Sequence, residues 1–398
     1  MLIQNVLVCD IEGERRTDVR VEDGVIVAMG NNLSVENTQL VDGSEMVVVP
    51  SFIDTNVKLL DASLNAKNIK KVAQQAKKGG IKHIVLSPDS TPSIDDEIIL
   101  EFAQNSIKDI ECVEVDVMLN TLKEDMTLSN IAIMLKKGVV APYMSTIAKN
   151  NLAIKIAEYV KMYGVTLFCK AEDNSLINAG VMLEGDVSSR LGLAGIPELS
   201  EVLHVSRMIE IARHFEIKIL FKSIASPRSV ELISKAKEEG VAVSCEVSLH
   251  HLINCDEACE GFNTMAKFNP PLPSKDNMYK LQQQLKEGKI DMLTLLHQPN
   301  SPVNKEVAFY DAAYGSSSLI EGVSLYYTKL VKEGLVSWQE LIRLCVQNPA
   351  QSIGKTAGVI EEGTSEFILF DTNKHSKIEN EKSFYNKEPL FGEVVFID

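Results

Sequence analysis

No apolar run in this chain approaches the roughly 18 residues needed to cross a bilayer, so a membrane-spanning role is not expected. The opening Met1-Leu2-Ile3-Gln4-Asn5-Val6-Leu7-Val8-Cys9-Asp10 is too short and uncharged at its start to read as a secretion signal. Cysteine is sparse: seven residues, odd in number and scattered, read as reduced thiols rather than a disulfide framework. Basic charge is also in deficit. Forty Lys and Arg face 55 Asp and Glu, for a net charge of −15, and no Lys/Arg run extends beyond short helix faces. Nucleic acid is therefore an unexpected partner, and the cytoplasm the expected location.

What the chain does have is a repeated alternation. Its 398 residues are 45% apolar and 24% charged, enough to bury a large core. Eight short, β-branched apolar runs recur at 46–53, 83–86, 112–118, 139–144, 165–169, 217–224, 241–247 and 291–296. Amphipathic stretches of helical period lie between them, at 66–78, 151–162, 198–214 and 229–238. Gly79-Gly80, Gly138, Gly164 and Gly240 fall just before strands, as helix C-caps should. Strand and helix repeated eight times, without a Gly-rich phosphate loop, predicts an α/β fold of the (β/α)8 TIM-barrel type; an open doubly wound sheet is the alternative. The ends differ. Asp23-Gly24 marks a hairpin turn in residues 1–45, and residues 366–371 and 392–397 again read as strands. Two β segments flanking a barrel pair most simply with each other. The expected division is 1–50 and 356–398 for a small β domain and 51–355 for the barrel.

Seven motifs in order along the whole chain resemble the dihydroorotases of the amidohydrolase superfamily. Val49-Pro50-Ser51-Phe52-Ile53-Asp54 is similar to that family's strand-one lead-in, and Ser87-Pro88-Asp89-Ser90-Thr91-Pro92 to its MPNTNP. Ala171-Glu172-Asp173 resembles the end of its HxED. Glu184-Gly185 with Leu191-Gly192-Leu193-Ala194-Gly195-Ile196-Pro197 resembles a family loop and helix start. Cys245 to Leu252, Asn269-Pro270-Pro271-Leu272 and Asn348-Pro349-Ala350 resemble its strand-seven segment, NPPLR and NPA.

The resemblance implies an amidohydrolase barrel whose mouth holds one or two Zn²⁺ ions that activate water to open or close dihydroorotate. The positions carried over do not keep that chemistry. The strand-one histidines fall on Asn56 and Lys58, and the Asp after strand four near Met144. The strand-five and strand-six histidines fall on Lys170 and Ser223, and the strand-eight Asp on Leu296. The substrate-carboxylate contacts become Leu60, Asp89, Asn300 and Pro273. Zinc sites exchange His, Cys, Asp and Glu, which all offer a lone pair, but not Leu, Met or ammonium. One ammonium about 4 Å from Zn²⁺ repels it by roughly 8 kcal/mol at an effective dielectric near 20.

Several residues then become candidates for other work. Lys58 and Lys170 sit where the cations sat, and are expected to stand in for metal charge and hold Glu172 or Glu246, or to be solvated loop-end lysines. A Schiff-base lysine is the more chemical alternative. His251 and His297 match positions beside the family site and read as ligand-binding or as hydrogen-bonded structural groups. The cluster His250-His251 with Cys255 and Cys259 fits no common zinc spacing, and Cys169 reads as a buried thiol. The expectation is a non-catalytic dihydroorotase homologue of pyrimidine biosynthesis, with no zinc or other cofactor. By resemblance to inactive family members, it is expected to act as a structural subunit bound to the aspartate transcarbamoylase catalytic chain, and to form homo-oligomers. The alternatives are an amidohydrolase-type enzyme of cyclic-amide hydrolysis with an altered site, and a small-anion binder using Lys58 and Lys170.

Overall fold

The computed structural model describes residues 1–35, 39–145 and 148–395. The chain opens with β1 (Leu2–Asp10), β2 (Gly13–Glu22), β3 (Val25–Gly30), β4 (Leu40–Asp42) and β5 (Met46–Pro50). Eight parallel strands follow: β6 (Phe52–Val57), β7 (Ile81–Leu86), β8 (Glu114–Asn120), β9 (Ala141–Met144), β10 (Thr166–Lys170), then, after the short pair β11 (Met182–Leu183) and β12 (Gly195–Ile196), β13 (Lys218–Lys222), β14 (Val243–Ser248) and β15 (Met292–Thr294). The chain returns through β16 (Phe367–Lys377) and β17 (Pro389–Val395).

The eight parallel strands run in the order β15-β14-β13-β10-β9-β8-β7-β6. They have the continuous burial that helices on the outside and side chains within impose, and every residue of β6 is buried. Asp54 helps draw the two edges together: its carboxylate accepts from Thr294 Oγ1 at 2.8 Å and from the Leu295 backbone N–H at 2.9 Å. A parallel bridge between Val57 and His297 completes the seam. The result is a nearly closed (β/α)8 barrel.

The run at 46–53, expected as one barrel strand, is divided at Ser51. Met46–Pro50 pairs in parallel with β1 and antiparallel with β16, and only from Phe52 does the chain enter the barrel. Uninterrupted hydrophobicity cannot show that break, because both halves are buried. The end sheet has the order β17-β16-β5-β1-β2-β3, with β4 on β1, so the two chain ends share one sheet as expected. The expected strand at 392–397 is seen to Val395; residues 396 and 397 lie outside the described residues.

Local chemistry explains the helix boundaries. Asn65 caps Ala66–Lys78 by accepting from the Asn68 N–H, and Ser226 caps Pro227–Glu238 with proline in the first turn. Gly164 ends Asn150–Tyr163 in the left-handed region, φ +65°. Gly79 serves a second purpose. A β-carbon there would stand 1.8 Å from the Leu319 carbonyl oxygen, so two backbones meet where a side chain has no room.

Candidate functional site at the barrel mouth

The C-terminal ends of the barrel strands bring polar side chains into a buried interior. Lys222 ends β13 and Glu246 lies near the end of β14; their side chains are 2% and 0% exposed and form an ion pair. Lys222 Nζ also donates to Thr55 Oγ1 at 2.8 Å and to the Thr55 carbonyl at 3.1 Å, which uses all three of its hydrogens. Thr55 Oγ1 donates to Glu246 at 3.1 Å. Asn56 Nδ2 donates to Glu246 Oε1 at 2.8 Å and to Ser223 Oγ at 2.7 Å. The side-chain donors of Lys222, Thr55 and Asn56 all find acceptors within this set. Burial pushes the Lys222 ammonium below its ordinary pKa against the pull of Glu246. Burial, and then the Glu246 charge, push Asp54 up to about 6.

The remaining sequence candidates take several places. Lys58 reaches Asp89 at 3.5 Å, and Lys170 reaches Glu172 at 3.0 Å, all four side chains being partly exposed at the rim. Lys170 thus pairs with Glu172 as expected. Glu246 is held instead by Lys222, which the motif comparison passed over because it precedes the compared position, Ser223, by one residue. Met144 and Leu296 are buried; Leu296 packs with Val181, Phe268 and Phe309 in an apolar cluster. His251 is bonded to Ser248 Oγ at 2.6 Å and the Pro270 carbonyl at 2.9 Å. His297 Nδ1 accepts from the backbone N–H groups of Ser318 and Leu319, at 3.1 and 3.2 Å. His250 bonds Tyr385 and the Leu295 carbonyl, apart from Cys255.

A second feature of this face was not legible in the motifs. Glu172, Glu198 and Glu201 line a cavity with Ser226, Pro270 and Asn277. Glu201 accepts from the backbone N–H groups of Ala225 and Ser226, both at 2.9 Å, and burial pushes its carboxyl up to about 7. A buried carboxyl poised near neutrality beside a cavity is the usual property of a proton-transfer group. The cavity holds about 40 Å³, space for water but not for a ring, so a ring-shaped ligand requires the neighbouring segments to move.

The mouth does not fit the zinc its family resemblance implies. The positions compared with metal ligands carry an amide, two ammonium groups, a hydroxyl and two hydrocarbon-like side chains, and Lys222 already neutralises Glu246. Among the described residues, one group does bring three donor atoms within 4.8 Å of one another: His83, Glu114 and Asp116. They lie in the starting halves of β7 and β8, away from the mouth. Burial alone would raise the Asp116 carboxyl, but hydrogen bonds from His83 and Lys355 hold it below its ordinary range.

A nearly closed eight-stranded barrel with a sheet built from both chain ends is an amidohydrolase-type fold. Residues 45–222 match the family model described as Dihydro-orotase-like. The chain is 32% identical to the dihydroorotase of Elusimicrobium minutum, covering 98% of this chain and 93% of that one. It is 31% identical to the dihydroorotase of Ruminiclostridium cellulolyticum and 30% identical to that of Bacillus subtilis, covering 95% and 96% of this chain and 90% of each relative. The chain belongs to the dihydroorotase family. Its fold is also that of L-hydantoinase from Arthrobacter aurescens, with TM-score 0.85 at 21% identity over 99% of this chain and 93% of that one.

Two expectations are corrected by these findings. The non-catalytic role as a structural subunit of aspartate transcarbamoylase does not stand: relatives matched over nine-tenths of their length are named dihydroorotase and point to an enzymatic amidohydrolase. The expectation of no zinc or other cofactor does not stand either. It rested on the mouth positions alone, whereas the chain belongs to a family whose likeness implies metal, and His83, Glu114 and Asp116 form a group able to hold one.

Proposed function

We propose that this protein is an amidohydrolase-type enzyme acting on a cyclic amide, with dihydroorotate and its ring-opened product as the substrate pair to test, working through an altered mouth. The observation that carries this reading is identity of 30–32% to proteins named dihydroorotase over 95–98% of the chain. The chemistry of the rim is compatible with it. Lys58 and Lys170 place ammonium groups where an anionic substrate approaches, and Glu201 offers a carboxyl poised to take or give a proton near neutral pH. The resident metal of the family, when bound, supplies polarisation of a carbonyl and activation of water. No step is assigned to it at this mouth, because the residues there do not fit it.

Small-anion binding by Lys58 and Lys170 is the weaker reading, since it leaves the 30–32% identity to proteins named dihydroorotase without a role. The deciding experiment follows ring opening and closure by the purified full chain, with and without added Zn²⁺. Turnover above a heat-denatured control, lost in Glu201→Gln, supports the proposal. No turnover in either direction under either condition overturns it. We also propose that the chain forms homo-oligomers, which light scattering on the same preparation reads.

A further inference from the structure

Several exposed lysines of this chain have carboxylate partners: Lys161 has Glu216, Lys275 has Glu257 and Lys280 has Asp276. The helix Ala66–Lys78 breaks that pattern. It carries Lys67, Lys70, Lys71, Lys77 and Lys78 and no Asp or Glu. Its buried side is Ile69, Val72, Ala73 and Ala76, and all five lysines are exposed on the other. Among the described residues none of the five has an ion-pair partner; Asp109 and Glu111 share a groove with Lys70, Lys77 and Lys78 without coming within pairing distance. Lys67 stands in the first turn, where the helix dipole disfavours a cation, and lies three and four residues from the like charges of Lys70 and Lys71. By itself the helix gains nothing from this arrangement.

A strip of the opposite sign lies close by. Glu22 ends β2, Asp23 begins the turn into β3, and the segment 361–366 runs along β3. There the Gly363 N–H donates to the Ile26 carbonyl, the Ile26 N–H to the Thr364 carbonyl, and the Met29 N–H to Glu362 Oε1. Glu22, Asp23, Glu361, Glu362 and Glu366 are all exposed, and none has an ion-pair partner among the described residues. The two strips match in length. Strand β3 from Val25 to Gly30 and the helix from Lys67 to Lys78 each extend about 16 Å. They also flank one cavity of about 210 Å³, to which the hairpin turn contributes Gly24 and the helix contributes Lys77. Lys82 lines the same cavity and donates to the Ser365 carbonyl at 3.1 Å.

We infer that these two strips form a homodimer interface, each seated on its opposite in a second copy of this chain; the inference rests on the self-association proposed above and assigns it a surface. A foreign acidic partner would match the lysines and leave the carboxylates bare, whereas a second copy matches both. Because the strips lie side by side, a two-fold rotation sets each basic strip against the partner's acidic one and closes the assembly at two. Two chains of net charge −15 repel each other overall, so a contact between them needs local complementarity of this kind. Exposed charge pairs steer and orient more than they tighten, which makes the association salt-sensitive.

The test is sedimentation equilibrium of the full chain at about 0.1 M and about 1 M NaCl, where the Debye length is about 10 Å and about 3 Å. A dimer is expected at the lower salt, with association at least about tenfold weaker at the higher. Lys70→Glu/Lys71→Glu and Glu22→Lys/Glu361→Lys should each weaken the dimer by at least about tenfold, since like charges then face each other. The mixture of the two variants is decisive. The first keeps an intact acidic strip and the second an intact basic one, so a mixed dimer should form, a gain that misfolding cannot mimic. A dimer indifferent to salt and to both variants overturns the inference and leaves self-association standing through another surface. A wild-type chain that stays monomeric at every concentration overturns both. Variants that fail to associate when mixed, or wild-type chains that grow beyond dimers, overturn the inference alone.

Discussion

Lys222 and Glu246 form an ion pair inside the barrel, on adjacent strands, with neither side chain open to solvent. Breaking a buried pair from one side costs more than the pair contributes, because the remaining charge keeps its desolvation penalty. Lys222→Met should therefore destabilise the protein by about 3–5 kcal/mol, the range for a lone buried charge. The double variant Lys222→Met/Glu246→Gln should recover most of that loss. Urea midpoints at constant m-value check both; a double variant no better than the single would show that the charge itself is not the cause.

Buried histidines set the acid limit. Burial pushes His204 and His251 down to about 4, and His250 and His297 to about 3. In the unfolded chain these rings take up protons near pH ~6.5, so their contribution is full above that pH and is lost as pH falls through the folded values. Asp54 and Glu201 act with the opposite sign. Raised to about 6 and about 7, they favour the folded state at low pH and lose that contribution as pH rises through those values. Asp95, Asp256 and Glu321, also raised by burial, side with those two carboxyls, whereas Asp42, Asp61, Asp116, Asp125 and Glu287, held low by hydrogen bonds, side with the four histidines, so the melting temperature should fall on acidification. His250→Gln should flatten that decline if the variant folds; an unchanged slope would remove His250 from the account.

Glu201 is the mouth residue with the clearest kinetic prediction. If cyclic-amide turnover is found, Glu201→Gln should lower kcat by about 10²–10⁴, the usual contribution of a positioned acid or base. An inflection near pH 7 in the rate profile should vanish with it. A lowered kcat with the inflection intact would leave Glu201 a structural anchor for the Ala225 and Ser226 amides.

The Gly79–Gly322 contact tests packing alone. A β-carbon on Gly79 would stand 1.8 Å from the Leu319 oxygen, and one on Gly322 would stand 2.1 Å from the Gly79 oxygen. Gly79 has φ −82°, which alanine tolerates, so any loss in Gly79→Ala is steric. Overpacking of this kind costs about 1–3 kcal/mol or more, read as a lowered denaturation midpoint. An unaffected midpoint would mean that the backbone yields cheaply there.

Much of the fold was legible in the chain because it depends on local patterning. Eight β-branched runs, the helices between them and the glycines before the strands each follow from short-range sterics and burial. The division at Ser51 was hidden, since a strand of the end sheet and a strand of the barrel are equally apolar. At the mouth, motif order identified which positions had changed but not which side chains had taken over. Lys222 was invisible because its role arises only when β13 lies between β10 and β14. His83, Glu114 and Asp116 were invisible for the same reason, being separated along the chain and joined only by strand register.

Residue order alone therefore determined the barrel architecture, the family and the altered set of mouth residues, all of which are encoded in periodicity and motif. Tertiary structure decided which charges are buried, which are paired and which three donors meet on the opposite face. Those outcomes depend on distances between strands remote in sequence, and Coulomb energy and desolvation both change steeply over a few ångströms.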